Sequence, residues 1–591
     1  MSAVLEVREP GARYLSAPQP LLAREFDLMA TAPGGVARLR EFILMLAVQG
    51  RLVPQELSDE SATGLLERIQ AERARLIASG SIKAIKRLSD IDDSEVPFGL
   101  PAKWAWVRLI DLCSYIQRGK GPDYTEQSNH RVISQKCVRW FGLDLAPARY
   151  VTSHSLSKYE PIRFLRAGDI LWNSTGTGTI GRACVVPNEL DHAKLVADSH
   201  VTVIRPVLLN SMFLLRWMQS RYVQDAIEGV AVGSTNQIEL NTSTVVGHLI
   251  PLPPLAEQSR IVARVDELMR LCDALEAKGR LEAEQHARLL STLLGTLTDS
   301  PSPDELATNW HRVAAHFDLL LDCPEAVDAL EQNILQLAVR GLLVPQDCQE
   351  ESSVLLLQRI RVEKVRLASE GTVRKERPQP EVHSDEQPFS LPVGWTWVRL
   401  GALGESFEYG SSQKAVDDPA AVPILRMGNI QSGRVSMSNL KYLKDNLGEL
   451  PDLLLRPGDL LFNRTNSFEL VGKTALFEGF SRPVTFASYL IRIRAIATYC
   501  SPAYINLYMN TRDCRQNEIE PHLTQQTGQA NYNGTKLRNI RVPLPPLAEQ
   551  HRIIRRVTEL RRLCADLRQR LTLRQTTQTH LAEALVESAI A

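Results

Sequence analysis

Features that usually reveal a protein's compartment or ligands are missing from this sequence of 591 residues. The nine cysteines are scattered, with no Cys-x-x-Cys pair and no Cys/His cluster at metal-ligand spacing, as is typical of reduced thiols in the cytoplasm. No apolar run approaches the roughly 20 residues of a membrane-spanning helix, and the acidic first residues are unlike a signal peptide. Lys plus Arg equal Asp plus Glu at 68 each, so any basic binding surface must be local. We predict a cytoplasmic protein without a membrane segment or metal site.

Motifs of common catalytic sites are missing as well. The sequence contains no Gly-x-x-x-x-Gly-Lys-Ser/Thr phosphate loop and no His-Glu-x-x-His cluster. An adenine methyltransferase would need Asn/Asp-Pro-Pro-aromatic, but both Pro-Pro pairs are followed by Leu. Gly176 to Gly181 fits Gly-x-Gly-x-x-Gly, yet the residues after it are strand-like, whereas a dinucleotide site needs a helix there. These absences predict a non-catalytic chain that holds no cofactor.

The sequence is instead rich in internal repetition. Pro-Leu-Pro-Pro-Leu-Ala-Glu-Gln occurs at 251–258 and again, 292 residues later, at 543–550. Trp104 and Trp106 recur 291 residues later as Trp395 and Trp397. A nearly constant offset of this length is too long for a solenoid repeat. The chain is therefore a duplication of a whole unit, a domain followed by a long helix.

Each copy reads as helices, then a β-rich block, then a long helix. Helices are predicted over 36–48 and 61–78, with counterparts that end at Gly341 and run over 352–368. Short runs rich in Val, Ile and Trp between Gly, Pro and Asn predict strands, for example in Gly-Asp-Ile-Leu-Trp-Asn-Ser from Gly168. The predicted segments are a helical region (1–96), a β-rich domain (97–254), a central helical segment (255–387), a second β-rich domain (388–546) and a terminal helix (547–591).

Both octapeptides open a helix with a heptad-like apolar seam, whose positions step by four and three residues. At 1.5 Å per residue each helix would be about 60 Å long. Two matching seams in one chain most simply pack on each other, and we expect an antiparallel pair; an ordinary helix pair is the alternative. The residues assigned to the helix starts and seams are Leu255, Glu257, Gln258, Ile261, Val265 and Leu268, and Leu547, Glu549, Gln550, Ile553, Val557 and Leu560.

The two β-rich blocks are much less alike than the helices around them. They agree at framework points such as Gly119/Gly410 and Asp169/Asp459. Their turns differ, because Arg-Gly-Lys at 118–120 stands opposite Tyr-Gly-Ser at 409–411. One scaffold that carries two dissimilar modules suggests two different ligands held at a fixed separation.

Several of these motifs together resemble the specificity subunits of type I restriction-modification systems. PLPPLAEQxRI at the start of a coiled-coil helix resembles that family's spacer. Three segments resemble the family's target recognition domains: PILRMGNIQSG (423–433), GDLLFNRTNSFELVGKTALF (458–477) and TGQANYN (527–533). The first block departs further, with VISQKCVRW in place of PILRMGNI and no Arg-Thr-Asn-Ser.

The resemblance implies an α+β fold in which two mixed α/β target recognition domains are separated by long antiparallel coiled-coil helices, an internal duplication in a pseudo-two-fold arrangement. It also implies that each domain reads one half of a split, asymmetric site in double-stranded DNA. The expected partners are two methyltransferase (modification) subunits and restriction/translocase subunits. S-adenosylmethionine, ATP and Mg²⁺ are then expected in those partners and not in this chain.

Candidate DNA contacts are the Arg, Lys, Asn and Gln side chains of loops that the two domains do not share, since these residue types read base edges and hold phosphates. The alternative for each is a solvated turn or a framework hydrogen bond. The candidates are Arg118, Lys120, Gln135, Lys136, Arg139 and Asn236 in the first domain, and Ser412, Gln413, Lys414, Arg426, Asn429, Gln431, Arg464, Asn466, Gln525 and Gln526 in the second.

Four readings of function follow from the sequence. The first is a DNA-sequence reader and assembly hub of a restriction-modification complex. The second is a specificity subunit of a modification-only defence complex, and the third is a coiled-coil scaffold that binds proteins alone. The fourth is a self-contained methyltransferase or nuclease with an unrecognised site, against which the missing cofactor motifs weigh. Eight arginines between His551 and Arg574 leave open a solvated face, a phosphate contact or an acidic partner for the last helix.

Overall fold

The structure is a computed structural model of the chain. It describes residues 26–83, 88–176, 178–191, 193–231, 240–300, 302–371, 373, 379–444, 448, 450–526 and 529–590. Contacts divide the chain into two compact units: a first unit of residues up to Leu281 together with 575–591, and a second unit of residues 282–574. Among the described residues, no helix combines the length and the apolar character that crossing a bilayer requires.

The helices agree closely with those predicted, and both long helices contain 44 residues. Ser61, predicted as a cap, accepts a hydrogen bond from the Gly64 amide, which satisfies a donor that the first helical turn leaves free. In chain order the helices are α1 (Phe26–Thr31), α2 (Gly35–Val48), α3 (Ala62–Ala78), α4 (Ser153–Leu156), α5 (Ser211–Gln219), α6 (Arg221–Ala231), α7 (Thr242–Gly247), α8 (Leu255–Thr298), α9 (Pro303–Ala314), α10 (Phe317–Leu320), α11 (Pro324–Val339), α12 (Ser353–Ser369), α13 (Leu400–Leu403), α14 (Leu450–Leu453), α15 (Pro502–Met509), α16 (Arg512–Cys514), α17 (Gly534–Asn539) and α18 (Leu547–Ile590).

The strands lie in the two predicted β-rich blocks. Those of the first are β1 (Ala105–Arg108), β2 (Cys113–Arg118), β3 (Tyr124–Thr125), β4 (Arg131–Ile133), β5 (Val138–Arg139), β6 (Gly142–Leu143), β7 (Arg149–Val151), β8 (Ile170–Asn173), β9 (Ala183–Val185), β10 (Val196–Ala197), β11 (Val201–Pro206) and β12 (Leu249–Leu252). Those of the second are β13 (Thr396–Arg399), β14 (Gly404–Tyr409), β15 (Val422–Leu425), β16 (Ile430–Gln431), β17 (Arg434–Val435), β18 (Lys441–Leu443), β19 (Leu460–Asn463), β20 (Thr465–Asn466), β21 (Thr474–Leu476), β22 (Thr485–Phe486), β23 (Leu490–Ala495), β24 (Thr524–Gln526), β25 (Gln529–Asn531) and β26 (Arg541–Leu544).

An antiparallel sheet in the order β2-β11-β8-β9 forms the centre of the first domain. Alternate residues of β8 point to opposite faces: Ile170 and Trp172 join the core that includes α5, whereas Leu171 joins a second core on the other face. This sheet is buried on both faces, which explains its nearly continuous apolar strands. A smaller sheet, β10-β4-β7-β3, lies beside it.

The second domain repeats this plan with a longer central sheet, β14-β23-β19-β21-β17-β16. Its smaller sheets have the orders β18-β15-β22 and β20-β25-β24. In both domains an aspartate at the start of the central strand holds an arginine of the neighbouring strand through two hydrogen bonds. The Asp169–Arg205 bonds are both 2.7 Å and the Asp459–Arg494 bonds are both 2.8 Å long. The framework role predicted for these aspartates is thus a buried, bidentate ion pair.

Within each unit, the Trp-x-Trp segment pairs with the octapeptide of the same copy. In the first unit β1 and β12 form an antiparallel ribbon in which Trp106 stands opposite Pro251. In the second unit β13 and β26 form the same ribbon, with Trp397 opposite Pro543. Each β-rich domain is therefore closed by a ribbon made of its first and last strands, and the octapeptide is the exit strand and the start of the next helix.

A buried glutamate fixes each of these helix starts. Glu257 accepts a hydrogen bond from Trp104 Nε1 at 3.1 Å and another from Gln55 Nε2 at 2.5 Å. In the second unit Glu549 accepts from Trp395 Nε1 and Gln346 Nε2, both at 2.9 Å. Each carboxylate therefore joins three segments: the segment after α2 or α11, the residue just before the first strand of the domain and the first turn of the long helix.

The neighbouring glutamine joins the same helix to a fourth segment. Gln258 Oε1 accepts from the Asn210 amide at 2.9 Å, and Gln550 Oε1 accepts from the Ser501 amide at 2.8 Å. Asn210 and Ser501 are the N-caps of α5 and α15. Since both glutamine side chains are fully buried, Ala-Glu-Gln acts as a clasp between the long helix and the domain before it.

The apolar seams of the two described long helices are largely buried, but by segments other than the opposite seam that we expected. In the first unit Ile261 and Val265 share a core with Phe42 of α2 and with Leu585 near the end of α18. In the second unit Ile553 and Val557 share a core with Ile334 of α11 and with Leu294 near the end of α8. The short repeated helices thus complete both cores, which two seams alone would leave open.

Glu549 gives the second unit a predicted dependence on pH. Burial raises the pKa of this carboxyl from 4.5 to about 7, against the opposing effect of the Trp395 hydrogen bond. Between these values the folded unit holds a proton that the unfolded chain releases, so this contribution to stability falls as the pH rises. Between pH 5 and 7 we expect the free energy of unfolding of Glu549→Gln to change by about 1–2 kcal/mol less than that of the wild type, because the amide does not titrate.

Calorimetric unfolding across this pH range measures the effect. Glu478→Gln, which removes an exposed carboxylate, is the control and is expected to leave the profile unchanged. Identical profiles for wild type and Glu549→Gln would show that Glu549 remains charged in the folded unit.

Candidate nucleic-acid interface

In the first unit the predicted contacts gather at the end of β8. Asn173 is fully buried, and its Nδ2 donates to the carbonyls of Gln135 at 3.1 Å and Thr179 at 3.2 Å. The next carbonyl, of Ser174, accepts from Arg118 Nη2 at 3.5 Å. Two loops that are well separated in sequence, around Gln135 and Arg118, are thereby brought to one end of the central sheet.

The predicted residues of this group are not equally available to a ligand. Arg118 Nη2 also donates to the Leu240 carbonyl at 3.0 Å, and Gln135 Oε1 accepts from Thr179 Oγ1. Lys120 and Lys136 are exposed, and Arg139 lies 4.0 Å from Asp144. Asn236 lies outside the described residues, so the contact predicted there stays a prediction.

The motif from Gly176 to Gly181, which matches the Gly-x-Gly-x-x-Gly pattern, lies at the same end of the sheet. Strand β9 follows it, as the sequence predicted, and no helix N-terminus is present after Gly181 in this described stretch to receive a pyrophosphate. Thr179 donates to Gln135 and to the Gly176 carbonyl. These glycines therefore form a turn that supports the Gln135 loop.

In the second unit the predicted contacts meet at the end of β19. Arg464 Nη1 donates to the Ser488 carbonyl at 3.3 Å, and the guanidinium lies 5.1 Å from the centre of the Tyr409 ring. Asn466 Nδ2 lies 2.8 Å from Met427 Sδ. The segment after β19 is thus in contact with the end of β14 and with the loop after β15.

Strand β24 belongs to the same group, since β25 pairs with both β24 and β20. The backbones of Gln525 and Gln526 lie in this sheet, while their side chains lie outside the described residues. Ser412 and Lys414 are exposed, and the Gln413 amide donates to Ser411 Oγ at 3.2 Å.

The three candidates of the β15–β16 loop have different environments. Asn429 is 3% exposed and its Nδ2 donates to the carbonyls of Ser436 and Ser438, while Oδ1 accepts from the Arg426 amide. Arg426 Nη2 donates to the Asn439 carbonyl at 3.2 Å. Gln431 is exposed and donates to the Gly428 carbonyl. We leave Asn429 out of the proposed contacts, because both of its amide donors hold the loop.

The paired glycines Gly119 and Gly410 allow these loops to approach the neighbouring strand. A Cβ at Gly119 would lie 2.2 Å from the carbonyl oxygens of Ala197 and Asp198, and one at Gly410 would lie 2.2 Å from the Phe486 carbonyl oxygen. Asp198 is buried, and burial raises the pKa of its carboxyl. The framework role that sequence comparison assigned to the two glycines thus has a steric cause.

Sequence reasoning missed a basic and aromatic face on the small sheet of the first domain. The Arg149 guanidinium lies 3.6 Å from the centre of the Tyr124 ring, and Arg131 lies 5.6 Å from that of Tyr150. Beside them is an open polar concavity of about 680 Å³ lined by Thr125, Gln127, Ser128, Asn129, His130, Tyr150, Thr152 and Ser153. Arginine next to tyrosine at 149–150 was a signal available in the sequence, because such pairs stack on bases and contact phosphates.

The corresponding small sheet of the second domain uses its charges internally. Arg482 donates to the carbonyls of Pro419 and Ala421 and lies 5.7 Å from the centre of the Tyr442 ring. Lys441 forms an ion pair with Asp417. The two domains therefore differ in electrostatics as well as in loop sequence.

The arginines of the last helix form ion pairs within the second unit. Arg561 and Arg568 pair with Glu331 of α11 at 3.0 and 2.9 Å, and Arg552 pairs with Glu350. These three arginines contact acidic residues of the same chain, whereas Arg555 and Arg562 are exposed, so a solvated face, a phosphate contact and an acidic partner all stay open for this helix.

One described group has mixed metal-ligand chemistry. The ligand atoms of His286, Asp322 and Cys323 lie within 4.8 Å of one another. His286 Nε2 is already 3.1 Å from the Leu319 carbonyl oxygen, and burial raises the pKa of the Cys323 thiol, which disfavours the thiolate that binds a metal. We assign no metal to this group.

Comparison with known proteins decides the family. The family model described as the type I restriction modification DNA specificity domain matches residues 101–285 and 392–574. The chain belongs to this family. Both halves match, including the first domain, whose motifs depart further from the common pattern. Specificity subunits are the non-catalytic components of type I systems, so the prediction of a non-catalytic chain is confirmed by family membership.

Relatives span nearly the whole specificity subunit. The specificity subunit of the type I restriction enzyme EcoEI of Escherichia coli is 33% identical over 569 residues, which cover 94% of each chain. That of the EcoAI enzyme, also of Escherichia coli, is 32% identical over 566 residues, again covering 94% of each. A chain solved in work on complex assembly and conformational transition of the type I R-M system aligns with a TM-score of 0.48 at 19% identity, over 84% of this chain and 99% of that one.

The close approach at Gly119 yields a prediction for the first domain of this specificity subunit. We expect Gly119→Ala to lower the free energy of unfolding by about 1–3 kcal/mol, because the added methyl overlaps backbone oxygens that can move only together with their strand. Gly121→Ala is the matched control, since a Cβ there has no atom within 4 Å. Chemical unfolding measures both variants, and an equal effect of the two would argue against a steric role of Gly119.

Proposed function

We propose that this specificity subunit reads a bipartite, asymmetric site in double-stranded DNA, one half with each β-rich domain. The observation that carries the proposal is the contrast between its identical and its divergent parts. The ribbon, the buried Glu–Trp bond and the glutamine clasp repeat almost atom for atom, whereas the loops at the ends of β8 and β19 differ in residue type, charge and partners. We call the ribbon, the Glu–Trp hydrogen bond and the glutamine clasp together the mount of each domain. Two equal mounts that carry unlike polar loops suit two different half-sites.

The loops have the chemistry that base reading requires. Four candidate side chains are exposed at or near the loops at the ends of β8 and β19: Lys120 and Lys136 in the first domain, and Lys414 and Gln431 in the second. Lysine binds phosphates, and glutamine can hydrogen-bond the edge of adenine in the major groove. Arg118 and Arg464 are partly committed to backbone carbonyls, which positions their guanidinium groups before any ligand binds.

The long helices are proposed to hold the two readers apart and to dock two modification subunits. Within each unit the first turns of one long helix share a core with the last turns of the other, and this supports an antiparallel pair with pseudo-two-fold character. We propose the segment boundaries given above for the domains and helices.

Chemistry is then proposed to belong to the partners. Methylation, at adenine N6, and cleavage would use S-adenosylmethionine, ATP and Mg²⁺ bound by modification and restriction/translocase subunits, in the cytoplasm. The target base must leave the stack for methylation, and that task also falls to the modification subunits. Whether a nuclease takes part depends on the partner set.

Exchange of one domain tests the modular reading. When the chain is co-expressed with its modification subunits, sequencing of methylated DNA should yield a split asymmetric motif. Replacing residues 97–250 with another recognition domain that keeps the counterparts of Trp104, β1 and Asn210 should change one half of that motif and leave the other half and the spacer intact, because the contacts of the domain with Glu257 and Gln258 of the long helix are then retained. A change in both halves would contradict independent domains.

The isolated chain provides a second test. We expect no transfer of methyl groups from labelled S-adenosylmethionine to duplex DNA by the purified chain, and transfer when modification subunits are added. Activity of the chain alone would make it an enzyme and would overturn the proposal. Absence of DNA binding with or without partners would favour the protein-only scaffold.

A further inference from the structure

The first domain carries two exposed aromatic rings at the tip of a hairpin. Strands β5 and β6 pair antiparallel, with Arg139 opposite Gly142, so Trp140 and Phe141 form a two-residue turn. Phe141 is 84% exposed and Trp140 is 38% exposed. The base of the hairpin is fixed, because Cys137 and Val138 are fully buried in the core on that face of the central sheet.

The tip is also braced from the side. Gln219 Nε2, at the end of α5, donates to the Trp140 carbonyl at 3.4 Å, and Gln219 Oε1 accepts from Arg216 Nη1 at 2.8 Å. Arg216 in turn pairs with Asp266 of α8 at 2.6 Å. The two rings are therefore presented on a supported turn, and a ligand would pay little ordering entropy to meet them.

The surroundings of the rings favour nucleic acid as the occupant. Exposed Lys136 and half-buried Arg139 lie on the same short segment. This segment begins at Gln135, whose carbonyl accepts a hydrogen bond from Asn173 at the end of β8. Aromatic rings flanked by basic side chains complement a stacked base step flanked by phosphates. An apolar protein partner would offer the exposed Lys136 no complementary charge.

The second domain supplies a matched comparison within the same chain. Its hairpin pairs Ile430 with Val435 and Gln431 with Arg434, and its turn residues are Ser432 and Gly433, with φ of +47° and +79°. It is braced in the same manner, since Asn506 of α15 donates to the Gly433 carbonyl at 2.7 Å. The hairpin is thus common to both domains, and the aromatic tip is confined to the first.

We propose that Trp140 and Phe141 form a wedge that enters a base step of the half-site read by the first domain, and that the second domain leaves its half-site stacked. This rests on the proposed function and adds to it an asymmetric distortion of the DNA. Because unstacking is easiest at pyrimidine–purine steps, the wedge would impose a preference at that step through deformability, without a hydrogen bond to a base edge.

The test uses the full chain assembled with its modification subunits. Duplexes carrying the motif read from methylated DNA are prepared with 2-aminopurine at successive positions, whose fluorescence rises when the base is unstacked. Apart from the adenines that the modification subunits flip out for methylation, which Phe141→Ala should leave unchanged, we expect a rise confined to one step of the first half-site. Phe141→Ala should abolish it and weaken binding about tenfold, which is within the range for loss of one aromatic stack.

Phe480→Ala is the matched control, because it removes a ring that is 44% exposed from the second domain, and it should leave both readouts unchanged. A Phe141→Ala complex with the wild-type fluorescence and affinity rejects the wedge while the proposed function stands. Reduced co-purification of modification subunits at unchanged DNA affinity would make the tip a protein contact and also rejects it. A wild-type complex without sequence-specific binding rejects the proposed function itself.

Discussion

The hydrogen bond from a tryptophan indole to a buried glutamate is the constraint on which the rest of this molecule depends. Glu257 and Glu549 are each 1% exposed, and a buried carboxylate is costly unless its oxygens are hydrogen-bonded. Both donors come from other segments of the chain: the indole of the residue just before the first strand of the domain and a glutamine side-chain amide from the segment after the preceding helix. The low-energy state therefore requires all three segments to be in place at once, and this fixes how each domain is mounted on its helix.

A mount of this kind leaves the far end of each domain free to diverge. Its requirements are met by the ribbon, by Ala-Glu-Gln and by Trp, all of which are remote from the ends of β8 and β19. The loops can then satisfy local needs in different ways. In the first domain an arginine on β2 reaches the Ser174 carbonyl; in the second a tyrosine stands at that position of β14, and the arginine comes from the loop after β19 and lies over its ring. A cation thus lies at this end of each domain, supplied by a strand in the first and by a loop in the second.

Sequence alone predicted the elements and the family well, because helix seams, caps and strand runs are local and were repeated. The partners of Glu257 could not be predicted: Gln55, Trp104 and Glu257 are spaced too widely for periodicity to connect them, although each recurred at nearly the same offset. The seams' packing on α2 and α11 was missed for the same reason. Side-chain roles were least predictable, since Asn429 and Gln431 have equivalent chemistry and stand two residues apart, yet one is buried within its loop and the other is exposed.

That contrast bears on how such a domain can change its target. Residues that hold the loops, such as Asn429 and Asn173, donate their side-chain amide hydrogens to backbone carbonyls within the domain, so replacing them disturbs a turn before it alters recognition. Replacing exposed residues of the same loops does not disturb a turn in this way. A new specificity is therefore reached most readily by exchange of exposed loop positions, or of a whole domain between its two ribbon strands, where every internal partner moves together with its residue. The duplicated octapeptide marks the boundary at which that exchange leaves the mount intact.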